Sequence, residues 1–165
     1  MNINSEGNRS HEKNQELEQR EFAEYAEMMK LSNQLCFPLY AAARKVTALY
    51  TPQLAPLNLT YTQYLVLLVL WEQDGIPVSE ICRRLRLDNG TVSPLLKKLE
   101  KEKLIRKDRS PEDERSVLIS LTEEGRAMQG KARDVPGKVG GCIRLSPGKA
   151  LTLYQLLYEI LDDGE

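Results

Sequence analysis

At 165 residues, with 41% hydrophobic and 28% charged side chains, the chain is long enough for one proper core and has the composition of a globular protein. A single histidine and three widely spaced cysteines leave histidine-based acid–base chemistry, disulfide scaffolds and paired-ligand metal sites almost no material, so no metal, no cofactor and no enzymatic activity are expected. The net charge of −1 speaks against a nucleic-acid partner only until its distribution is read: from Cys82 to Arg115 eleven Lys and Arg stand against seven Asp and Glu, whereas residues 1–30 carry four against seven.

Residues 1–20 contain too little apolar surface to offset the entropy of ordering and read as a disordered polar tail. Residues 21–165 read as a single domain, with 21–30 extending a helix. No apolar run approaches the ~20 residues needed to cross a bilayer. No leader pattern opens the chain, so a cytoplasmic protein without a membrane partner is expected.

From Leu31 to Tyr50, the residues Leu35, Leu39, Ala42, Val46 and Leu49 recur at three- and four-residue steps, which predicts an amphipathic helix. Pro38 is tolerated only in a first turn, so the regular helix should begin near Cys36 and Phe37. After the turn-rich TPQLAPLN, the run Tyr61–Trp71 is apolar on nearly all sides and reads as a buried helix capped by Thr60. VSEICRRLRL (78–87) predicts a short helix, LDNG a turn, and TVSPLLKKLEKEKL a second helix with Val92, Leu95, Leu96 and Leu99 on one face. LIRKDR and RSVLISL flank a polar SPEDE segment as two strands, so that helix, turn, helix and hairpin make a winged helix over about 61–121.

Thr122 with Glu123 and Glu124 starts a further helix, which Gly125, Gly130, Pro136 and Gly137 should break. Ser146-Pro147 signals a last helix, striped by Leu151, Tyr154, Leu157, Tyr158 and Leu161, whose apolar face needs a partner. The fold class is therefore mainly α with a small β-hairpin wing. Its expected form is a homodimer built through helices at about 31–50 and 122–163.

In such a fold the basic residues Arg83, Arg84, Arg86, Lys97, Lys98, Lys101 and Lys103 read as a face toward DNA rather than a merely solvated surface. The recognition helix would present Asn89, Thr91, Ser93 and Lys98 to the major groove of double-stranded operator DNA. Arg106, Lys107 and Arg109 would add phosphate contacts.

The segment DERSVLISLT, residues 113–122, resembles the wing signature of the MarR family of bacterial regulators. LCFPLYAAARKVT, LNLTYTQYLVLLVLWE and LRLDNGTVSPLLKKLE resemble the organic-hydroperoxide-resistance regulators, OhrR, within that family, over roughly Leu31 to Pro136. The resemblance implies a repressor that leaves its operator when one cysteine is oxidised by an organic hydroperoxide. Cys36 matches the sensing cysteine, and Tyr50 and Tyr61 match the tyrosines that hydrogen-bond to it. At the wing, Arg115 would enter the minor groove, with Asp113 orienting the wing or the arginine. In two-cysteine members a resolving cysteine occurs in the region of Cys142; a small cellular thiol is the alternative partner for oxidised Cys36. The sequence departs from the OhrR pattern at Pro38, where a small helix former is usual, and at Asn89, where serine is common.

Each residue also has a plainer reading. Cys36, between Leu35 and Phe37, is compatible with inert packing, and Tyr50 and Tyr61 with half-buried aromatics. Against that, a helix N-terminus and tyrosine hydroxyls both stabilise a thiolate, and Leu35, Phe37 and Leu39 suggest a pocket for apolar hydroperoxides. Cys82, beside Ile81 and Leu85, reads as structural, whereas the Gly-Gly-Cys-Ile-Arg context of Cys142 favours exposure. The alternative function is a MarR-like repressor released by a non-covalent aromatic or phenolic ligand, with Cys36 structural. A thiol peroxidase is the rival of another class, and a winged helix speaks against it.

Overall fold

The computed structural model describes residues 19–109 and 117–162. The chain divides into two compact units after Lys45. In the first, residues 19–28 are helical (α1) and Leu31–Asn33 form a 3-10 turn. Helix α2, Cys36–Leu54, opens at Cys36 as the Pro38 argument requires. The expected disordered tail lies outside the described residues except for Gln19 and Arg20, which are helical.

The second unit holds α3 (Tyr61–Glu72), β1 (Ile76–Pro77), α4 (Val78–Leu85), α5 (Asn89–Lys101), β2 (Ile105–Arg109) and β3 (Val117–Leu121). It continues through α6 (Glu123–Ala132), α7 (Val135–Gly140) and α8 (Pro147–Asp162). Mostly helical, with one small antiparallel sheet, it has the expected class. Two boundaries shift. α2 continues through Pro52 to Leu54 instead of ending near Tyr50, because the proline removes a single ladder bond while Leu54, fully buried, anchors the last turn. Asn89 and Gly90 belong to the first turn of α5, not to the preceding turn, because Asp88 is the cap.

Caps explain where the helices start. Thr60 and Gln63 form a reciprocal capping box: the Thr60 amide donates to Gln63 Oε1 at 2.8 Å, and the Gln63 amide donates to Thr60 Oγ1 at 3.4 Å. Thr122 caps α6, as expected, by accepting from the Gly125 amide at 3.0 Å.

The sheet order is β1-β3-β2, with Ile76 opposite Ile119 and Lys107 opposite the same Ile119 on the other side. The sequence predicted only β2 and β3; two residues ending in proline give no alternation to read. The core gathers Leu67 and Leu70 of α3, Ile81 of α4, Leu96 and Leu99 of α5 and Ile119 of β3, all essentially inaccessible. It therefore sits behind the helix–turn–helix and fixes its geometry.

Side-chain bonds lock α3 to the sheet and α6. Trp71 Nε1 donates to the Gly125 carbonyl at 2.9 Å. The Asp74 carboxylate accepts from the Gly75 and Leu121 amides at 2.9 and 2.7 Å and pairs with Arg126. By contrast, Leu151, Tyr154, Leu157, Tyr158 and Leu161 of α8 are all exposed. No single helix among the described residues is long and apolar enough to cross a membrane.

Candidate functional site

Helix α5 owes its orientation to both ends of its amphipathic pattern. Asp88 accepts from the Thr91 amide at 2.8 Å and from the Thr91 hydroxyl at 2.7 Å, and these bonds, the hydroxyl's first, hold its carboxyl below the usual carboxylate range. Val92, Leu96 and Leu99 are buried, so the opposite face, carrying Thr91, Pro94, Lys97, Lys98 and Lys101, is turned to solvent. Of the expected DNA contacts, Thr91 and Lys98 lie on that face, whereas Asn89 and Ser93 lie on the edge toward the wing. Ser93 Oγ donates to Asn89 Oδ1 at 2.9 Å, which fixes the asparagine before any DNA arrives.

That edge borders an open groove of about 420 Å³ whose lining includes Ser79, Asn89, Ser93, Lys97, Lys107 and Val117. The sequence places Lys97 only in the general basic face, not among the residues reading bases or holding phosphates. Its four-residue steps from Asn89 and Ser93 carried the signal for the groove.

The wing strand β2 bears Arg106, Lys107 and Arg109, all exposed. Arg106 pairs with Asp108 at 2.8 Å and Lys107 with Glu100 of α5 at 2.8 Å. Asp113 and Arg115 lie outside the described residues. The three arginines of and after α4 are committed differently from the open basic face expected: Arg83 pairs with Glu80, Arg84 with Glu72, and Arg86 with Asp162 of α8. Helical spacing offers the Glu80–Arg83 pair, but sequence cannot show that Glu72 and Asp162, 12 and 76 residues away, reach Arg84 and Arg86.

Among the candidate sensor residues, Cys36 is exposed and is the first residue of α2. Tyr50 and Tyr61 are brought together in the second unit, their ring centroids 4.7 Å apart, and Tyr64 lies 6.0 Å from Tyr50. Burial, and then the neighbouring Tyr50, push the Tyr61 hydroxyl above its ordinary range, so it remains a proton donor throughout physiological pH. Tyr64, also raised by burial first, was missed; its three-residue step from Tyr61 puts it on the adjoining face of the same helix. Cys142 is exposed just after α7, with Sγ donating to the Lys138 carbonyl at 3.3 Å. Cys82 packs against the core, where burial and then the Asp88 charge push its thiol upward. Both causes disfavour its thiolate, the form that attacks peroxides, which suits a structural role.

A helix–turn–helix on a packed core, with a cationic outward face and a basic two-stranded wing beside it, defines a DNA-binding winged-helix protein. The family described as transcriptional regulator SarA/Rot matches residues 48–131. The organic hydroperoxide resistance transcriptional regulator of Bacillus subtilis (strain 168) is 49% identical over 134 residues, covering 81% of this chain and 91% of that protein. Among solved structures, reduced AbfR bound to DNA aligns at a TM-score of 0.67 and 33% identity, covering 82% of this chain and 96% of that one. AbfR, from Staphylococcus epidermidis, is also similar in its disulfide form, at a TM-score of 0.58 and 34% identity over 84% of this chain and 98% of that one. The chain belongs to the SarA/Rot family of MarR-like winged-helix regulators, and it is a DNA-binding transcriptional regulator of the MarR/OhrR kind.

Proposed function

We propose that the chain is a redox-sensing repressor that binds operator DNA as a homodimer and is released when organic hydroperoxides oxidise Cys36. The observation that carries this reading is an exposed cysteine at the first residue of α2 in a chain 49% identical to an organic hydroperoxide resistance regulator. The thiolate attacks the peroxide's terminal oxygen, the O–O bond breaks, and the products are Cys36 sulfenic acid and an alcohol. A second thiol then displaces water to form a disulfide.

In this reading Tyr50 and Tyr61 hold the oxidisable Cys36 of a homodimer by hydrogen bonds from their hydroxyls. The exposed apolar face of α8 gives the second copy a surface to cover. On the DNA side, Asn89, Thr91, Ser93 and Lys98 read the major groove, Arg106 and Lys107 hold phosphates, and Arg115 with Asp113 serves the minor groove. Arg115→Ala should weaken operator binding about tenfold at unchanged melting temperature, the size of one good groove contact, as measured by titration of labelled duplex. Unchanged affinity would remove the wing from the interface.

Cys142 is the resolving cysteine in this reading. It is exposed, and a relative at 34% identity has a structure in a disulfide form. A disulfide needs alpha carbons within about 7 Å, so where the reduced dimer holds them farther apart, closure selects a rearranged dimer whose recognition helices no longer fit the operator. One equivalent of cumene hydroperoxide should therefore release the operator. On a non-reducing gel it should give a covalent dimer that disappears in Cys36→Ser and in Cys142→Ser and persists in Cys82→Ser. A covalent dimer that survives Cys142→Ser, or a peptide map that finds only Cys36 joined to an added small thiol, overturns Cys142 as the partner and leaves the one-cysteine route. Release without any change in intact mass would overturn the redox reading in favour of a bound ligand.

A further inference from the structure

On α5, Asn89, Ser93, Lys97 and Glu100 recur at steps of four, four and three residues and form the edge toward the wing. Three of them meet that edge's groove, across which stands Lys107 of β2, and no carboxylate is among the described residues that line it. Two ammonium groups, Lys97 and Lys107, and three small polar side chains, Ser79, Asn89 and Ser93, thus line one channel. The acid beside it is Glu100, whose Oε2 holds Lys107 Nζ at 2.8 Å while both side chains stay partly accessible.

A winged helix places its recognition helix in the major groove, about 12 Å wide, and its wing in the adjacent minor groove. The phosphodiester strand that separates those grooves must then run between α5 and the wing. This gap is the groove described above. In the free protein Glu100 Oε2 makes with the Lys107 ammonium the kind of ion pair that a phosphate oxygen would make with it.

We propose that Glu100 gates DNA affinity: its carboxylate holds the Lys107 ammonium, which passes to a backbone phosphate when DNA enters the groove. The inference rests on reading α5 and the wing as the DNA face. It adds an antagonist to that reading, because each binding event must break the Glu100–Lys107 pair and leave Glu100 beside a polyanion. Lys97, on the same groove, supplies the second cation. Since phosphate contacts carry no sequence information, the gate sets affinity at every site alike and leaves sequence preference to the base-reading residues of α5.

The test is operator affinity of the intact dimer across a salt series, on a duplex the protein selects from random sequence. Glu100→Gln should bind about two- to fivefold more tightly per half-site at low salt, the worth of an exposed ion pair no longer broken, and the gain should fade as salt rises. Lys107→Ala should bind more weakly with a shallower salt dependence, and adding Glu100→Gln to it should restore nothing. Glu100→Ala repeats the measurement should the glutamine variant fold poorly. Unchanged or weaker binding by both Glu100 variants overturns the gate, as does an equal gain in the Lys107→Ala background. If Lys97→Ala and Lys107→Ala both leave affinity and salt dependence untouched, the DNA face itself has been misassigned.

Discussion

A Cys36→Ser variant should bind its operator like the native chain and keep it through an excess of organic hydroperoxide. Cys36 is exposed at the first residue of α2, so exchanging sulfur for oxygen removes no core packing and should change stability by less than about 0.5 kcal/mol. What is lost is the nucleophile, since a serine hydroxyl remains protonated and does not attack peroxide oxygen. The effect is large because release is a population shift. Moving an equilibrium from 99:1 to 1:99 takes roughly a 10⁴-fold differential preference, all of which the oxidised sulfur must supply. Anisotropy of a labelled operator, with and without hydroperoxide, measures it directly; normal release by the serine variant would end the assignment. Cys82→Ser is the matching control, expected to release normally while losing some stability, because Cys82 packs against the core.

Gly125→Ala should be the most destabilising single methyl in the described chain. A Cβ at Gly125 would stand 2.0 Å from the Leu104 carbonyl oxygen and 3.1 Å from Leu121 Cδ2. Alanine gains about 1 kcal/mol of helix propensity over glycine. The clash outweighs that gain, because a backbone carbonyl cannot swing away as a side chain can and Trp71 holds the Gly125 carbonyl in place. We expect a net loss of about 3 kcal/mol, lowering the melting temperature by on the order of 10 °C. A methyl added at Gly130, on the same helix, would meet nothing within 4 Å. Gly130→Ala should therefore stabilise by about 0.5–1 kcal/mol. Thermal unfolding of the two variants side by side checks both signs; a neutral Gly125→Ala would mean that α6 slides freely over the sheet.

Much of this was legible in the sequence where local chemistry decides. Thr60 and Thr122 announce the caps of α3 and α6, the all-round apolar run of α3 its burial and the periodicity of α5 its buried face, and Pro38 places the start of α2. Partnerships between distant residues were not legible. β1 consists of two residues that are a strand only because β3 lies beside them. The arginines around α4 looked like one basic surface, yet Glu72 and Asp162 claim Arg84 and Arg86 from 12 and 76 residues away, and only the Glu80–Arg83 pair, one helical turn apart, was within reach of local spacing. Helical spacing placed Lys97 beside Asn89 and Ser93, but its importance appears only when Lys107 of another element faces it across a groove. Cys36, Tyr50 and Tyr61 stood out by resemblance rather than by periodicity, since thiol reactivity leaves no imprint on a hydropathy pattern.

The bonds that lock α3 to the sheet and to α6 also set an order of events as the chain leaves the ribosome. Leu121 and Arg126 meet Asp74 across 47 and 52 residues, and Gly125 meets Trp71 across 54, whereas α4 and α5 are joined by a turn of three residues. Contacts of long sequence separation form last, because their loops must close before they reward the closure. The two helices of the helix–turn–helix can therefore pair while the protein is still being made. The clasp that fixes their angle closes only after Arg126 has emerged, so a nascent chain carries the parts of a DNA reader before it has the rigidity of one.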